Sequence, residues 1–463
     1  MALIKSISGI RGTIGGQVGD SLTPLDIVKF ISAYAVRLKQ RRGSQESYKV
    51  VVGRDARLSG QAVEAVVCGT LASCGIDVVN AGLATTPTVE MAVVFEQADG
   101  GIILTASHNP KQWNALKLLN EKGEFLDASE GAALLAVAEA EQFDFCDVDQ
   151  IGGISSTNFD QQHISAVLSH PLVDAEAISK AGFKVVLDAV NSVGGIVMPK
   201  LFEALGVNCI CVNCEPTGHF AHNPEPLPEH LIELSETVVK EKADLGVSVD
   251  PDVDRLALIC ENGEPFGEEY TLVAVADYVL SKTKGATVSN LSSSRALRDV
   301  TESHRAQYFA SAVGEVNVST LMKEKGAVIG GEGNGGVIVP DFHYGRDALI
   351  GVALFLTHLA YKKCQVSKLR TSYPQYFTSK NKIELSDAAL IDKILEKVKS
   401  EYASEKITTI DGVKVDFEQT RSWVHLRKSN TEPIIRIYAE APTCEEAEEV
   451  AQRVIKLAEN VFI

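Results

Sequence analysis

The chain has 463 residues, and a typical size of roughly 150 residues per domain predicts about three or four domains. Acidic residues outnumber basic residues by 61 to 44, and the net charge of -17 argues against nucleic acid or an anionic membrane as a partner. No apolar run approaches the roughly 18 residues of a membrane span, and the N-terminus lacks a signal-peptide pattern, so we expect a cytoplasmic location.

A strand-helix-strand order occurs three times along the chain. It is clear in residues 49–80 and 184–211, and looser in residues 285–310. Each copy begins with a short run of apolar, mostly β-branched residues and continues into a helical stretch that ends near a glycine. Repeated units of this kind predict α/β domains with parallel or mixed sheets covered by helices.

The last segment has a different pattern. A predicted helix over 388–402 precedes short predicted strands, and a closing helix over 444–457 begins with several glutamates, which suits the positive end of its dipole. We therefore expect three related α/β domains with mixed sheets and a smaller C-terminal α+β domain around a central cleft. The predicted domains are residues 1–153, 154–256, 257–371 and 372–463.

One hydroxyl group follows a short apolar run in residues 100–110. Residues 101–104 predict a buried strand that Asn109 and Pro110 bring to an end. Ser107 and His108 should then project from a tight loop at a strand end, where α/β folds commonly place chemistry. The alternative is a loop whose polar side chains only satisfy their own backbone.

Three carboxylates follow another apolar strand at alternate positions, Asp250, Asp252 and Asp254. Alternate side chains of an extended chain share one face, so these oxygens should converge and suit a hard cation such as Mg²⁺. A calcium-binding EF-hand does not fit, because Arg255 occupies the position that needs glycine. A solvated acidic turn is the alternative.

A glycine-rich stretch, residues 331–336, matches the dinucleotide pattern Gly-x-Gly-x-x-Gly. A predicted strand follows it where that pattern requires a helix, so we reject a dinucleotide site. The glycines would let the backbone approach a ligand, with Glu332 and Asn334 as its polar contacts. A simple glycine turn between strands remains the alternative.

The turn after residue 426 gathers guanidinium, hydroxyl and amide donors, as a bound phosphate requires. A solvated basic turn would be the alternative. The residues concerned are Arg427, Ser429, Asn430, Thr431 and Arg436.

The hexapeptide Thr-Ala-Ser-His-Asn-Pro around Ser107 resembles the phosphoserine signature of the α-D-phosphohexomutase superfamily, and three further loops match that superfamily in the expected order. The resemblance implies that Ser107 carries a phosphoryl group and binds Mg²⁺ together with Asp250, Asp252 and Asp254. It also implies that 331–336 is the sugar-specificity loop and that 427–433 binds the distal phosphate.

The sugar loop departs from the superfamily's common Gly-Glu-x-Ser-Gly-His, because Asn334 replaces the serine and Gly336 the histidine. This pattern, with residues 313–318, resembles archaeal-type phosphoglucosamine mutases. Arg11 matches an early Gly-x-Arg-Gly, unless it is a surface residue in a glycine turn. Lys117 matches the lysine that is the candidate general acid/base, because neighbouring cations and partial desolvation should lower its pKa; an ordinary surface lysine is the alternative.

His108 and Arg255 complete the candidate site. We therefore predict a phosphohexomutase that works through a phosphoserine and a hexose 1,6-bisphosphate, acts on a small phosphosugar, and is a monomer or homodimer. Phosphoglucosamine is the favoured substrate, and phosphomannomutase or phosphoglucomutase activity is the near alternative. A serine-dependent phosphohydrolase or a non-catalytic sugar-phosphate-binding protein are the others.

Overall fold

The computed structural model describes residues 2–6, 9–43, 47–384, 389–428 and 434–459. The protein is an α/β protein with mixed sheets covered by helices, as the repeated units predict. Its contacts divide the chain into two units, Met1–Thr271 with Asn334–Ser367, and Leu272–Gly333 with Lys368–Ile463. No helix within the described ranges combines the length and apolar character that crossing a membrane would require.

The first unit begins with a seven-stranded mixed sheet. Its strands are β1 (Leu3–Ser6), β2 (Gly9–Thr13), β3 (Lys49–Arg54), β4 (Asp77–Leu83), β5 (Gly100–Leu104), β6 (Trp113–Leu119) and β7 (Ile154–Ser156). They lie in the order β1-β2-β6-β5-β3-β4-β7. The helices are α1 (Pro24–Arg42), α2 (Gly60–Ser73), α3 (Thr86–Phe95) and α4 (Ala128–Ala140). The first predicted repeat is thus confirmed by β3, α2 and β4.

Alternation along β3 explains how this sheet is covered on both faces. Val50 and Val52 pack into one cluster with Phe30 of α1, whereas Val51 packs into the opposite cluster with Val89 of α3. All three valines of the strand are fully buried. A strand buried on both faces therefore needs an unbroken apolar run, which is the pattern the sequence has there.

A four-stranded sheet follows in the same unit. It consists of β8 (Lys184–Asp188), β9 (Asn208–Val212), β10 (Leu245–Val249) and β11 (Leu256–Cys260), in the order β11-β10-β8-β9. Its helices are α5 (Asp160–Ser169), α6 (Ala175–Ala181), α7 (Gly194–Ala204) and α8 (Ile232–Glu241). The second predicted repeat is confirmed by β8, α7 and β9, which run in the predicted parallel arrangement.

The chain then enters the second unit through α9 (Glu268–Lys282). The third repeat is confirmed by β12 (Ala286–Asn290), α10 (Arg295–Ser303) and β13 (Tyr308–Ser311), which precede α11 (Glu315–Lys325) and β14 (Ala327–Glu332). Both β13 and β14 pair with β12 in parallel.

A hairpin and a helix return to the first unit. The antiparallel strands are β15 (Gly336–Val339) and β16 (His343–Arg346), and the helix is α12 (Ala348–Lys362). The side chain of Asp347 caps α12 by accepting hydrogen bonds from the amides of Leu349 at 2.7 Å and Ile350 at 3.4 Å.

The rest of the second unit is an antiparallel sheet with helices, which confirms the α+β pattern of the last segment. After α13 (Val366–Thr371) come β17 (Phe377–Glu384), α14 (Ala389–Glu401), β18 (Lys406–Thr408), β19 (Val413–Phe417), β20 (Ser422–Lys428), β21 (Ile434–Ala441) and α15 (Cys444–Glu459). The strand order is β17-β21-β20-β19-β18. The four domain boundaries given above stay predictions.

Candidate active site

Ser107 lies on a tight loop directly after β5, as its sequence context predicts. The loop is closed by a hydrogen bond from the Asn109 amide to the Ala106 carbonyl, at 3.0 Å. The Ser107 amide donates to Thr105 Oγ1 at 2.9 Å, and the serine backbone adopts a left-handed φ of 48°. A non-glycine residue in this conformation needs support from its surroundings, and such residues occur often at functional sites.

That support comes from a buried ion pair after β3, which no sequence motif identifies. Arg57 Nε donates to Asp55 Oδ2 at 2.8 Å, and neither side chain is exposed. The remaining guanidinium nitrogens of Arg57 donate to backbone carbonyls of the serine loop and of the start of β6. These carbonyls belong to Ser107, to Pro110 at 3.1 Å and to Trp113 at 2.8 Å.

The Ser107 hydroxyl points at the acidic loop. Its Oγ donates a hydrogen bond of 2.6 Å to Asp250 Oδ2, and it lies 3.3 Å from His108 Nδ1. Burial, followed by the nearby Arg255, lowers the pKa of His108 to about 2, so its imidazole is neutral. The structure thus brings together three residues that the sequence singled out.

The three predicted metal ligands converge. Asp250, Asp252 and Asp254, called the acidic triad below, are fully buried, and one oxygen from each lies within 4.8 Å of the others. The prediction that an extended chain aligns them is wrong, because the loop turns after β10 and Val253 has a left-handed φ of 63°. A β-branched residue in this conformation costs about 1–3 kcal/mol, so the surrounding contacts must impose it.

Those contacts come from segments far away in the sequence. The Thr86 amide at the start of α3 donates to the Asp252 carbonyl at 2.9 Å, and the Thr86 hydroxyl donates to Asp252 Oδ2 at 2.7 Å. The Ala348 amide at the start of α12 donates to the Val253 carbonyl at 3.2 Å. The N-termini of α3 and α12 therefore hold the backbone of the loop that carries the acidic triad.

The electrostatics of the acidic triad fit a divalent cation. Burial, and then repulsion from Asp254 and Asp252, raises the pKa of Asp250 well above its ordinary value. Asp252 Oδ1 and Asp254 Oδ1 are buried and have no hydrogen-bond partner among the described residues. Buried carboxylate oxygens without partners are costly unless a cation binds them, and an all-oxygen donor set suits Mg²⁺.

Lys117 on β6 is 14% exposed, so it is not an ordinary surface lysine. Its Nζ lies 2.7 Å from Asp252 Oδ2 and 3.5 Å from Asp254 Oδ2. Burial alone would lower its pKa, but the two carboxylates outweigh burial and raise the pKa above its ordinary value. The expectation that neighbouring cations lower this pKa is therefore wrong, since the nearest charges are anions.

Two predicted arginines lie around the same loops. Arg11 lies within β2 rather than in a glycine turn, and its Nη1 donates to Asn109 Oδ1 at 2.9 Å. Burial lowers the pKa of the Arg11 guanidinium. The Arg255 amide donates to Asp250 Oδ1 at 3.1 Å, and its guanidinium lies 3.5 Å from Glu225 Oε1.

Arg346, at the end of β16, is a site residue that the sequence did not reveal. It is 7% exposed, and its Nη2 donates to Asp254 Oδ2 at 2.7 Å. No motif surrounds it, and only its place between a strand and the α12 cap could have drawn attention. Asn334, predicted to contact sugar, accepts a hydrogen bond from the Gly336 amide at 3.2 Å within its own turn.

Within the second unit, Glu332 ends β14 and is 6% exposed. Its Oε1 accepts hydrogen bonds from Asn290 Nδ2 at 2.9 Å and from the Gly314 amide at 3.2 Å. The two stretches that the sequence singled out, 313–318 and 331–336, are therefore joined through this carboxylate.

The two arginines of the predicted phosphate site lie on adjacent strands of the second unit. Arg427 on β20 and Arg436 on β21 lie directly opposite each other, and Arg427 Nη2 lies 3.2 Å from Asp411 Oδ2. Among the described residues, the buried Arg427 Nε has no hydrogen-bond partner. Like charges opposite each other are unfavourable unless an anion lies between them. Ser429, Asn430 and Thr431 lie outside the described residues.

Four family models match successive parts of the chain. They are phosphoglucomutase/phosphomannomutase α/β/α domains I, II and III over residues 3–145, 161–263 and 267–376, and the C-terminal domain over residues 381–457.

Two curated relatives illustrate the range of names. The chain is 37% identical to a phosphoglucomutase/phosphomannomutase of Thermococcus kodakarensis, over 97% of this chain and 98% of the relative. It is 33% identical to a probable phosphoglucosamine mutase of Pyrococcus horikoshii, over 98% and 96% of the two chains.

Two crystal structures share the fold. A phosphoglucomutase/phosphomannomutase family protein of Burkholderia thailandensis aligns with a TM-score of 0.84 at 24% identity, over 98% of both chains. The N-acetylphosphoglucosamine mutase of Aspergillus fumigatus, in complex with GlcNAc-6P and magnesium, aligns with a TM-score of 0.56 at 15% identity, over 91% and 85% of the two chains.

Proposed function

Because the chain belongs to the phosphoglucomutase/phosphomannomutase family, a family of isomerases within the α-D-phosphohexomutase superfamily, we propose that it interconverts hexose 6-phosphate and hexose 1-phosphate through a phosphoserine at Ser107. The observation that carries this proposal is the 2.6 Å hydrogen bond from Ser107 Oγ to Asp250 within the acidic triad. A nucleophilic hydroxyl beside a potential cation site is the arrangement that phosphoryl transfer requires.

Phosphorylation of Ser107 changes its contact with the acidic triad. The unphosphorylated hydroxyl occupies Asp250 Oδ2, and a phosphoserine has no hydroxyl proton to donate there. Asp250 Oδ2 then becomes available as a ligand, next to the free Oδ1 atoms of Asp252 and Asp254. Magnesium bound at these three residues would neutralise charge on the oxygens of the transferring phosphoryl group.

In the proposed reaction the bond from phosphorus to Ser107 Oγ breaks while a bond to a sugar hydroxyl oxygen forms, and the proton of that hydroxyl passes to Ser107 Oγ. The product is a hexose 1,6-bisphosphate. The bisphosphate turns end for end and returns its other phosphoryl group to Ser107. The cationic Lys117, 2.7 Å from Asp252, would stabilise negative charge during the transfer, and Arg11 would orient the loop through Asn109.

The rest of the binding apparatus is proposed from the second unit. Arg427 and Arg436, opposite each other on adjacent strands, would hold the phosphate that does not react, together with Ser429, Asn430 and Thr431. Glu332, whose carboxylate is positioned by hydrogen bonds from Asn290 and Gly314, would contact sugar hydroxyls.

We propose glucosamine phosphate as the substrate. The sugar loop, with Asn334 and Gly336 in place of serine and histidine, and relatives named probable phosphoglucosamine mutase support this choice. A relative named phosphoglucosamine/phosphogalactosamine mutase adds to it. Phosphoglucomutase or phosphomannomutase activity is the second candidate, favoured by the name of the relative that is 37% identical. The cytoplasmic location and the oligomeric state stay predictions.

The test is a mutase assay with glucosamine 6-phosphate, glucose 1-phosphate and mannose 1-phosphate, in the presence of Mg²⁺ and a trace of the matching 1,6-bisphosphate. We expect the highest kcat/KM for glucosamine phosphate and a phosphoserine at residue 107 by mass spectrometry. Ser107→Ala should abolish both, whereas Ser129→Ala, an exposed serine on α4, should change neither.

Each alternative gives a different result in that assay. A preference for glucose or mannose phosphate would contradict only the choice of sugar. Activity that survives in Ser107→Ala would contradict the phosphoserine mechanism. Release of inorganic phosphate in place of an isomerised sugar would identify a phosphohydrolase.

A further inference from the structure

In Asp252 and Asp254, protein donors occupy one carboxylate oxygen, and the other has no partner among the described residues. Asp252 Oδ2 accepts from the Thr86 hydroxyl at 2.7 Å and from Lys117 Nζ at 2.7 Å. Asp252 Oδ1 is buried without a partner among the described residues. Asp252 can therefore offer a cation only one oxygen unless it breaks two hydrogen bonds.

Asp254 is held in the same way by Arg346. Its Oδ2 accepts from Arg346 Nη2 at 2.7 Å, while its Oδ1 is buried and unpartnered within the described chain. In Asp250 the Arg255 amide donates to Oδ1 at 3.1 Å, and the Ser107 hydroxyl donates to Oδ2. Only Oδ2 would become available to a cation when Ser107 is phosphorylated. All three carboxylates are thus fixed for binding through a single oxygen.

A glycine makes room for the arginine that fixes Asp254. A Cβ atom at Gly336 would lie 2.3 Å from Arg346 Cδ and 3.1 Å from its Cγ. Atoms that are not bonded do not approach so closely, so any side chain at 336 would force the Arg346 side chain to shift. Gly336 therefore leaves the space that the Arg346 side chain occupies.

We propose that Arg346 determines the ion selectivity of the acidic triad by restricting Asp254 to one oxygen. Mg²⁺ is small and demands octahedral coordination by single oxygens, whereas Ca²⁺ accepts more ligands and often binds both oxygens of a carboxylate. Arg346 thus disfavours Ca²⁺, and Gly336 is required for this effect. The inference rests on the proposed magnesium site, and it assigns Arg346 as a positioning residue that acts through Asp254.

The experiment is calorimetric titration of chelator-treated protein with MgCl₂ and, separately, with CaCl₂, which needs no turnover. We expect wild type to bind Mg²⁺ more tightly than Ca²⁺. In Arg346→Met the ratio of the two dissociation constants should shift toward Ca²⁺ by about tenfold, the scale of one hydrogen bond to a charged group. Arg346→Lys, a point charge without the planar fork, should recover only part of the selectivity.

Two glycine variants supply the matched comparison. Gly336→Ala removes no polar group from the chain, but it should shift the ratio of the two dissociation constants in the same direction as Arg346→Met. Gly351→Ala adds the same methyl group to α12, where the nearest atom is 3.4 Å away, and should leave the ratio unchanged. Thermal unfolding of each variant shows that it is folded.

The outcomes separate this inference from the proposed function. A selectivity that persists in both Arg346→Met and Gly336→Ala overturns the role of Arg346 and leaves the magnesium site intact. Wild type that binds Mg²⁺ with no preference over Ca²⁺ also overturns it. Wild type that binds neither ion overturns the magnesium site and the inference together.

Discussion

Arg57 offers the sharpest test of how the serine loop is held, because its hydrogen bonds go to backbone carbonyls and Asp55 and not to the Ser107 hydroxyl. Its side chain is fully buried, it pairs with the equally buried Asp55, and it donates to three backbone carbonyls. Replacing it with methionine keeps the size of the side chain but leaves the Asp55 carboxylate buried beside Thr105 without its cation.

The expected loss follows from these contacts. Breaking a buried ion pair by removing one partner costs about 3–5 kcal/mol, because the remaining charge has no compensation. Replacing Asp55 with asparagine in the same chain removes that charge, so the double variant should be more stable than Arg57→Met. The serine loop also loses its support, and a displacement of about 1 Å lowers the rate by about 10²-fold.

Unfolding in urea can be followed locally, since the chain has two tryptophans. Trp113 supplies one of the carbonyls that Arg57 binds and lies in the first unit, whereas the buried Trp423 lies in the second. In a Trp423→Phe background, emission therefore reports on the serine loop alone. A loss of less than about 1 kcal/mol with unchanged kcat would refute the reasoning, because a buried ion pair cannot be broken so cheaply.

Three further predictions concern charge. Burial alone would lower the pKa of His343, but the interactions with Asp347 and then Glu90 outweigh burial and raise this pKa to about 10. A histidine in the unfolded chain has a pKa of about 6.5. The stability that His343 contributes should be complete below that pH and disappear toward pH 10, so the difference in melting temperature between wild type and His343→Gln should narrow over this range. Mg²⁺ should raise the melting temperature, because at 100 times its dissociation constant it adds about 2.7 kcal/mol to the free energy of unfolding. EDTA should reverse the rise, and an unchanged melting temperature would contradict a metal at the acidic triad. Lys117→Met should lower kcat by about 10²- to 10³-fold, because it removes the cation that stabilises negative charge during the transfer. Lys111→Met, at an exposed position between β5 and β6, should be neutral in the same assay.

Local patterns were sufficient to predict the elements that carry the site. The apolar run before Ser107 is β5, and the run before Asp250 is β10, because short buried strands are specified by their own residues and by the turn residues that follow. The convergence of the acidic triad was also predicted, although the turn at Val253 produces it and not an extended chain.

The residues that were missed act over long sequence distances. Arg57 contacts a loop 50 residues away, and Arg346 contacts Asp254 across 92 residues. Periodicity and turn chemistry describe neighbours along the chain and do not specify which loops meet. The same reason explains the error on Lys117, whose carboxylate partners lie 135 and 137 residues further along the chain.

The backbone clamp on the acidic loop has a consequence for how the protein matures. The amides of Thr86 and Ala348 hold that loop from segments before and after it in the sequence, and the Leu256 amide donates a hydrogen bond to the carbonyl of Gly335. During synthesis from the N-terminus, Ser107 emerges long before Ala348 does. The acidic loop beside Ser107 is therefore not held by both of these amides until Ala348 has left the ribosome.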